Sequence, residues 1–157
     1  MVNMDEILEL VIERDASDVH LICGNKPILR IARELEPIEE MEEEIKNFKQ
    51  ENPESYVVVI LHWGIEYQSS PTLNQRKGAH RLVRAGADVI IGHHPHIIQK
   101  EEYFNGKPIF YSLGNFVFDQ RKPETSQSLI VQLNFTSIGY SIKLHPATIN
   151  NCKPELQ

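Results

Sequence analysis

Two apolar runs, Val57-Val58-Val59-Ile60-Leu61 and Val89-Ile90-Ile91, mark the middle of the chain, and histidines follow each of them. Continuous β-branched runs of this kind read as strands buried on both faces, as in a parallel sheet. Between the runs, Thr72 and Gln75 have capping-box spacing behind Pro71. Ala79, Leu82 and Val83 then form an i, i+3, i+4 stripe against Arg76, Lys77, Arg81 and Arg84. Gly86 falls where a helix C-cap belongs. Strand, capped helix and strand predict a βαβ unit with a right-handed crossover.

Downstream, the segments 97–103 and 107–112 flank Asn105-Gly106, a strong hairpin signal. Alternation over Leu129–Phe135 and Tyr140–Leu144, around Thr136–Gly139, predicts another strand pair and a mixed or antiparallel second sheet. Upstream, Ile7, Leu8, Leu10, Val11 and Ile12 form a helical stripe over Met4–Arg14. Val19–Ile22 and Ile28–Ile31 read as short strands about a turn at Gly24–Pro27. His20, alternating with apolar neighbours, reads as structural. Met41–Gln50 is a predicted helix with Ile45 and Phe48 on one face, ended by Asn52-Pro53. Seven glutamates between Glu34 and Glu44 mark a junction. The expectation is an α/β fold in two parts, an αββ segment at 1–43 and a domain at 44–157.

Composition narrows the classes. With 157 residues, 41% of them hydrophobic, the chain can build one ordinary core. A net charge of −6 argues against a nucleic-acid partner. Cys23 and Cys152 lie far apart with no CxxC, so neither a disulfide framework nor a zinc–thiolate site is expected. No apolar run approaches the ~20 residues that cross a bilayer, and the first residues lack a basic region. A cytoplasmic protein without a membrane span is the expectation.

The chemistry concentrates at His62 and at Gly92-His93-His94-Pro95-His96. Both lie beyond the carboxyl ends of predicted strands, where open α/β sheets bind ligands. Pro95 disfavours helix at His94, so His94 and His96 are expected to be extended, with both side chains on one side and His93 pointing away. Converging neutral imidazoles suit zinc, manganese or iron. The plain alternative is a loop of solvated histidines. Asn115, after the permissive Gly114, either places an amide at this site or serves as a turn residue.

The stretch from Val57 to Gln120 closely resembles the bacterial capsule-synthesis (poly-γ-glutamate synthesis) protein family, within the calcineurin-like metallophosphoesterase superfamily. The matching motifs are His62-Trp63-Gly64-x-Glu66-Tyr67, Gly92-x-His94-Pro95-His96 and Tyr111-Ser112-Leu113-Gly114-Asn115-Phe116. The resemblance runs from about residue 44 to the C-terminus and implies the C-terminal half of an α/β/β/α sandwich with a two-metal site. In it His62, His94 and His96 would be metal ligands. As a hydrolase the chain would take His62, Glu66 and Asn115 as catalytic residues, with Glu66 and Asn115 orienting water or substrate. The family's Gly-Asp and Asn-containing motifs, which supply the bridging carboxylate, have no counterpart here. Two-metal hydrolysis needs such a carboxylate, and neither Glu66 nor Asp119 stands where it belongs. Residues 4–40 instead resemble the start of the N-terminal domain of type IV pilus retraction and type II secretion ATPases, through Ala16, Ser17, Asp18, His20, Leu21, Pro27, Leu29, Arg30 and Ile31. No G-x-x-x-x-G-K-[ST] loop accompanies them.

Three functions follow as expectations. One is a hydrolase of phosphoester or related bonds in a small molecule or polymer, using a divalent ion (zinc, manganese or iron), one ion being within reach of three histidines. The second is a non-catalytic binding or structural module that self-associates through an open sheet edge. The third is a fusion whose N-terminal segment docks to a secretion or pilus apparatus.

Overall fold

The computed structural model describes residues 16–20, 28–31, 38–120, 122–136 and 138–157. The chain divides into two units, 1–37 and 38–157. In the first, β1 (Ala16–His20) and β2 (Ile28–Ile31) pair antiparallel with a bulge between Ala16 and Asp18. The predicted helix over 4–14 and the turn at 24–27 lie outside the described residues.

The second unit holds α1 (Ile38–Glu51), β3 (Val58–His62), α2 (Leu73–Ala85), β4 (Val89–His93), β5 (Glu102–Phe104), β6 (Lys107–Phe110), β7 (Gln127–Thr136), β8 (Gly139–Asn150) and β9 (Lys153–Leu156). The β3, β4 and β6 strands run parallel, and β5 closes the sheet antiparallel in the order β3-β4-β6-β5. The βαβ unit forms as its pattern predicts. Thr72 caps α2 by accepting from the Gln75 amide, and the Gln75 side chain accepts from the Thr72 amide. Gly86, at φ 126°, turns the chain out of the helix and donates to Leu82 and Val83. The hairpin between β5 and β6 turns at Asn105 and Gly106, whose φ values of 50° and 74° suit a two-residue primed turn.

The second sheet is antiparallel, in the order β7-β8-β9. β7 and β8 stay in register from Gln127↔Thr148 to Thr136↔Gly139. β9 carries no apolar alternation and contains Pro154. Among the described residues β9 is an edge strand, the place in a sheet where proline is tolerated.

The core lies between the helices and one face of the mixed sheet: Ile45 of α1 and Ala79, Leu82 and Val83 of α2 meet Leu61, Ile90 and Ile109. Here the structure departs from the sequence pattern. β3 is not buried on both faces: Leu61 is buried, but Ile60, pointing the other way, is 36% exposed. Among the described residues β3 pairs only with β4, so it is an edge strand. Phe48 is likewise 45% exposed while Ile45, on the same helix, is buried.

Asp88, buried just before β4, ties the opposite end of the sheet together. Its carboxylate accepts from Lys107 at 2.7 Å, Lys49 at 2.8 Å and the Val57 amide at 2.9 Å. Burial alone would raise its pKa, but the two ammonium groups and the amide outweigh burial and hold it below the usual carboxylate value. No helix among the described residues is long and apolar enough to cross a membrane.

Candidate active site

The carboxyl ends of β3 and β4 are locked side by side. His62 stands in register with His93, and the Trp63 amide continues the ladder by donating to the His93 carbonyl at 3.0 Å. The Trp63 indole is buried, stacks on Tyr111 with centroids 6.0 Å apart, and donates to the Tyr111 carbonyl at 3.1 Å. Gly92 makes this possible: a Cβ there would lie 2.1 Å from the Tyr111 oxygen and 2.4 Å from the indole nitrogen. The glycine ahead of the histidine cluster is therefore a packing requirement.

Beyond β4 the chain does not stay extended. His94 has φ 103° and His96 φ 62°. Non-glycine residues rarely adopt such values, and those that do cluster at functional sites. The kink replaces simple alternation and carries the His94 ring across to His62. His94 Nδ1 and His62 Nε2 are 3.0 Å apart, with ring centroids at 4.8 Å. His96 lies 6.1 Å from His94, centroid to centroid. Its Nδ1 is 2.8 Å from Oδ1 of the buried Asn115. Because that oxygen can only accept, Nδ1 of His96 carries the hydrogen and Nε2 of the neutral ring keeps its lone pair. Glu66 reaches His96 Nε2 only at 3.8 Å, beyond hydrogen-bonding distance. Asp119 is exposed.

The structure thus joins His62 to His94 and His96 to Asn115, with Glu66 at the margin. It also assembles residues that sequence reasoning did not assign a role. The Asn115 amide donates to Gln120 Oε1 at 3.1 Å, and Gln120 Nε2 donates to the Tyr67 hydroxyl oxygen at 3.0 Å. Tyr67, at φ 61°, is anchored by its amide on the Pro95 carbonyl at 2.9 Å, and its ring lies over His96 at 6.0 Å. Lys122 Nζ sits 3.6 Å above the Tyr67 ring. The Phe118 ring is 5.2 Å from His96. Tyr67 closes the first histidine motif and could have been singled out; nothing in the sequence pattern marks Gln120 or Lys122. A cavity of about 610 Å³, lined by Tyr56, Tyr103, Lys107 and Tyr140 among others, lies at the far end of the sheet, beside Asp88, and shares no residue with the histidines.

Whether these side chains suit a metal ion can be judged from the donors. Two imidazole nitrogens on one tetrahedral zinc, each at about 2.0–2.1 Å, stand roughly 3.3 Å apart. The 3.0 Å between His62 and His94 is close to that separation, and neutral imidazoles are the right donor type. The pair fits two ligands of a single ion. Among the described residues no group of three or more histidine, cysteine, aspartate or glutamate side chains is arranged to hold a metal, so no two-ion cluster is formed by them.

Comparison with known proteins places the chain. Residues 14–120, more than half of it, match the family model described as bacterial capsule synthesis protein PGA_cap, a match that begins within the N-terminal segment. The chain is 47% identical over 98 residues to the PGA biosynthesis protein CapA of Bacillus subtilis, covering 59% of this chain and 26% of that protein. It is 48% identical over 86 residues to the capsule biosynthesis protein CapA of Bacillus anthracis, covering 55% and 21%. A probable polyglutamine synthesis accessory protein of Mycobacterium tuberculosis is 36% identical over 67 residues, covering 43% and 18%. The chain therefore spans about a quarter or less of the length of these relatives.

Proposed function

The chain belongs to the bacterial capsule synthesis protein family, and from that premise we propose that it carries the histidine part of a metal-dependent hydrolytic site acting on phosphoester or related bonds. The observation that supports this most directly is the 3.0 Å approach of His62 and His94 at the ends of adjacent parallel strands. His62 and His94 would hold one divalent ion, zinc, manganese or iron. When bound, such an ion polarises the scissile group and lowers the pKa of its water. Asn115 fixes the orientation and tautomer of His96, leaving Nε2 with a lone pair that can accept a proton. The exposed Glu66 carboxylate beside it can pair with the protonated imidazole and so hold the proton that His96 takes up.

One observation favours a second reading. β3 has an unpaired edge among the described residues, and Ile60 is partly exposed on it. A binding or structural module that associates through this edge, without catalysis, would use that feature.

Zinc binding by the purified chain, measured by competition with a chromophoric chelator beside His94→Ala, separates the two. The hydrolase reading expects about one equivalent, lost in the variant, because two imidazoles of one ion cannot be reduced to one without a large loss of affinity. A wild-type chain that binds no zinc, or a variant that binds equally well, would overturn it in favour of the module.

A further inference from the structure

We propose that Tyr67 and Lys122 form an oxyanion-binding wall at the histidine site, contacting a phosphoryl or carboxylate group of the substrate. This deepens the hydrolase reading and rests on it. The geometry behind it is a chain of hydrogen bonds with a single direction. His96 Nδ1 donates to Asn115, Asn115 donates to Gln120, and Gln120 donates to the Tyr67 oxygen. Each amide in the series uses its oxygen toward His96 and its nitrogen toward Tyr67. Tyr67 therefore stands at the end of the chain as an acceptor, and its own O–H hydrogen has no acceptor among the described residues. A phenol so placed is a donor prepared for an external oxygen.

Three further features bear on this residue. Its backbone is left-handed at φ 61°, a conformation unfavourable for an aromatic residue that the Pro95 carbonyl holds in place. Its ring covers His96 at 6.0 Å, so a group that reaches the hydroxyl is also beside the imidazole. Lys122 places an ammonium 3.6 Å over the same ring, the one cation given an aromatic partner at this end of the sheet among the described residues. A neutral hydroxyl donor and an ammonium on one wall select an oxygen that carries negative charge. Glu66, the carboxylate nearest His96, lies 3.8 Å from its Nε2. Among the described residues Lys122 forms no ion pair with a carboxylate, and its ammonium is held over the Tyr67 ring.

The test uses the full chain without added metal, so that its outcome is independent of zinc binding. Inorganic phosphate and acetate are titrated separately into wild type, Tyr67→Phe and Lys122→Gln, following the side-chain amide resonances of Gln120 and Asn115 by NMR. The expected result is saturable shifts in wild type and affinity weakened by about tenfold in Tyr67→Phe, the loss of one hydrogen bond to a charged group. Lys122→Gln, which does not touch the hydrogen-bond chain, is expected to weaken binding and flatten its salt dependence. A response to phosphate alone assigns a phosphoryl substrate and a response to acetate alone a carboxylate polymer; either supports the wall. No saturable shift with either anion, or equal affinities in all three proteins, overturns it. Absence of zinc binding would remove the hydrolase reading while leaving this result standing.

Discussion

Gly92→Ala is the substitution whose cost the structure determines most directly. The new Cβ would lie 2.1 Å from the Tyr111 carbonyl oxygen, whereas ordinary contact begins at 3.4 Å. Backbone from β4 and from the end of β6 must then separate by roughly 1 Å, and the atom encountered is main chain, not the end of a flexible side chain. Overpacking of this kind costs ~1–3 kcal/mol. The same methyl displaces the Trp63 indole from the carbonyl it donates to, at a further ~0.5–1.5 kcal/mol. Together these give a destabilisation of about 2–4 kcal/mol. Trp63 is the only tryptophan in the chain, so urea unfolding followed by its fluorescence reads stability and the local environment in one experiment. Gly106→Ala is the control: its Cβ would meet nothing within 4 Å, and only its φ of 74° resists substitution, at ~1–2 kcal/mol. A Gly92→Ala protein within about 0.5 kcal/mol of wild type, the usual spread of neutral substitutions, would refute the close approach. So would one no less stable than Gly106→Ala.

Two other substitutions probe the scaffold. Asp88→Asn removes a carboxylate whose folded pKa lies below its unfolded value, so its stabilisation is complete above the unfolded pKa and disappears as pH falls through the folded one. The variant is expected to be less stable by about 1–3 kcal/mol at pH 7, with the gap closing below about pH 4; urea midpoints across pH 3–7 check this, and a gap that persists unchanged at pH 3 contradicts it. Thr72→Ala deletes the acceptor of the α2 capping box and should cost ~1 kcal/mol, measurable as a lower urea midpoint; an unchanged midpoint would mean the cap contributes nothing.

What the sequence determined by itself is local. The β3–α2–β4 unit, the helix cap at Thr72, the Gly86 exit and the Asn105-Gly106 turn all depend on residues within a few positions of one another. Their signals are propensity and periodicity, which a linear pattern contains. The three histidine and asparagine motifs were legible for the same reason, as was their location at the carboxyl ends of the strands, although His62 and His93 prove to be the last residues of β3 and β4 rather than to lie beyond them. The partnerships inside the site were not. His62 meets His94 across 32 residues, His96 meets Asn115 across 19, and Gln120 meets Tyr67 across 53. Such pairs are decided by strand register and by the left-handed turns at His94 and His96, where the effect of Pro95 on its neighbour predicted extended backbone. The exposure of Ile60 belongs to the same class. A run of β-branched residues specifies a strand, but whether its second face is covered depends on which strands and layers stand beside it, and only the tertiary structure decides that.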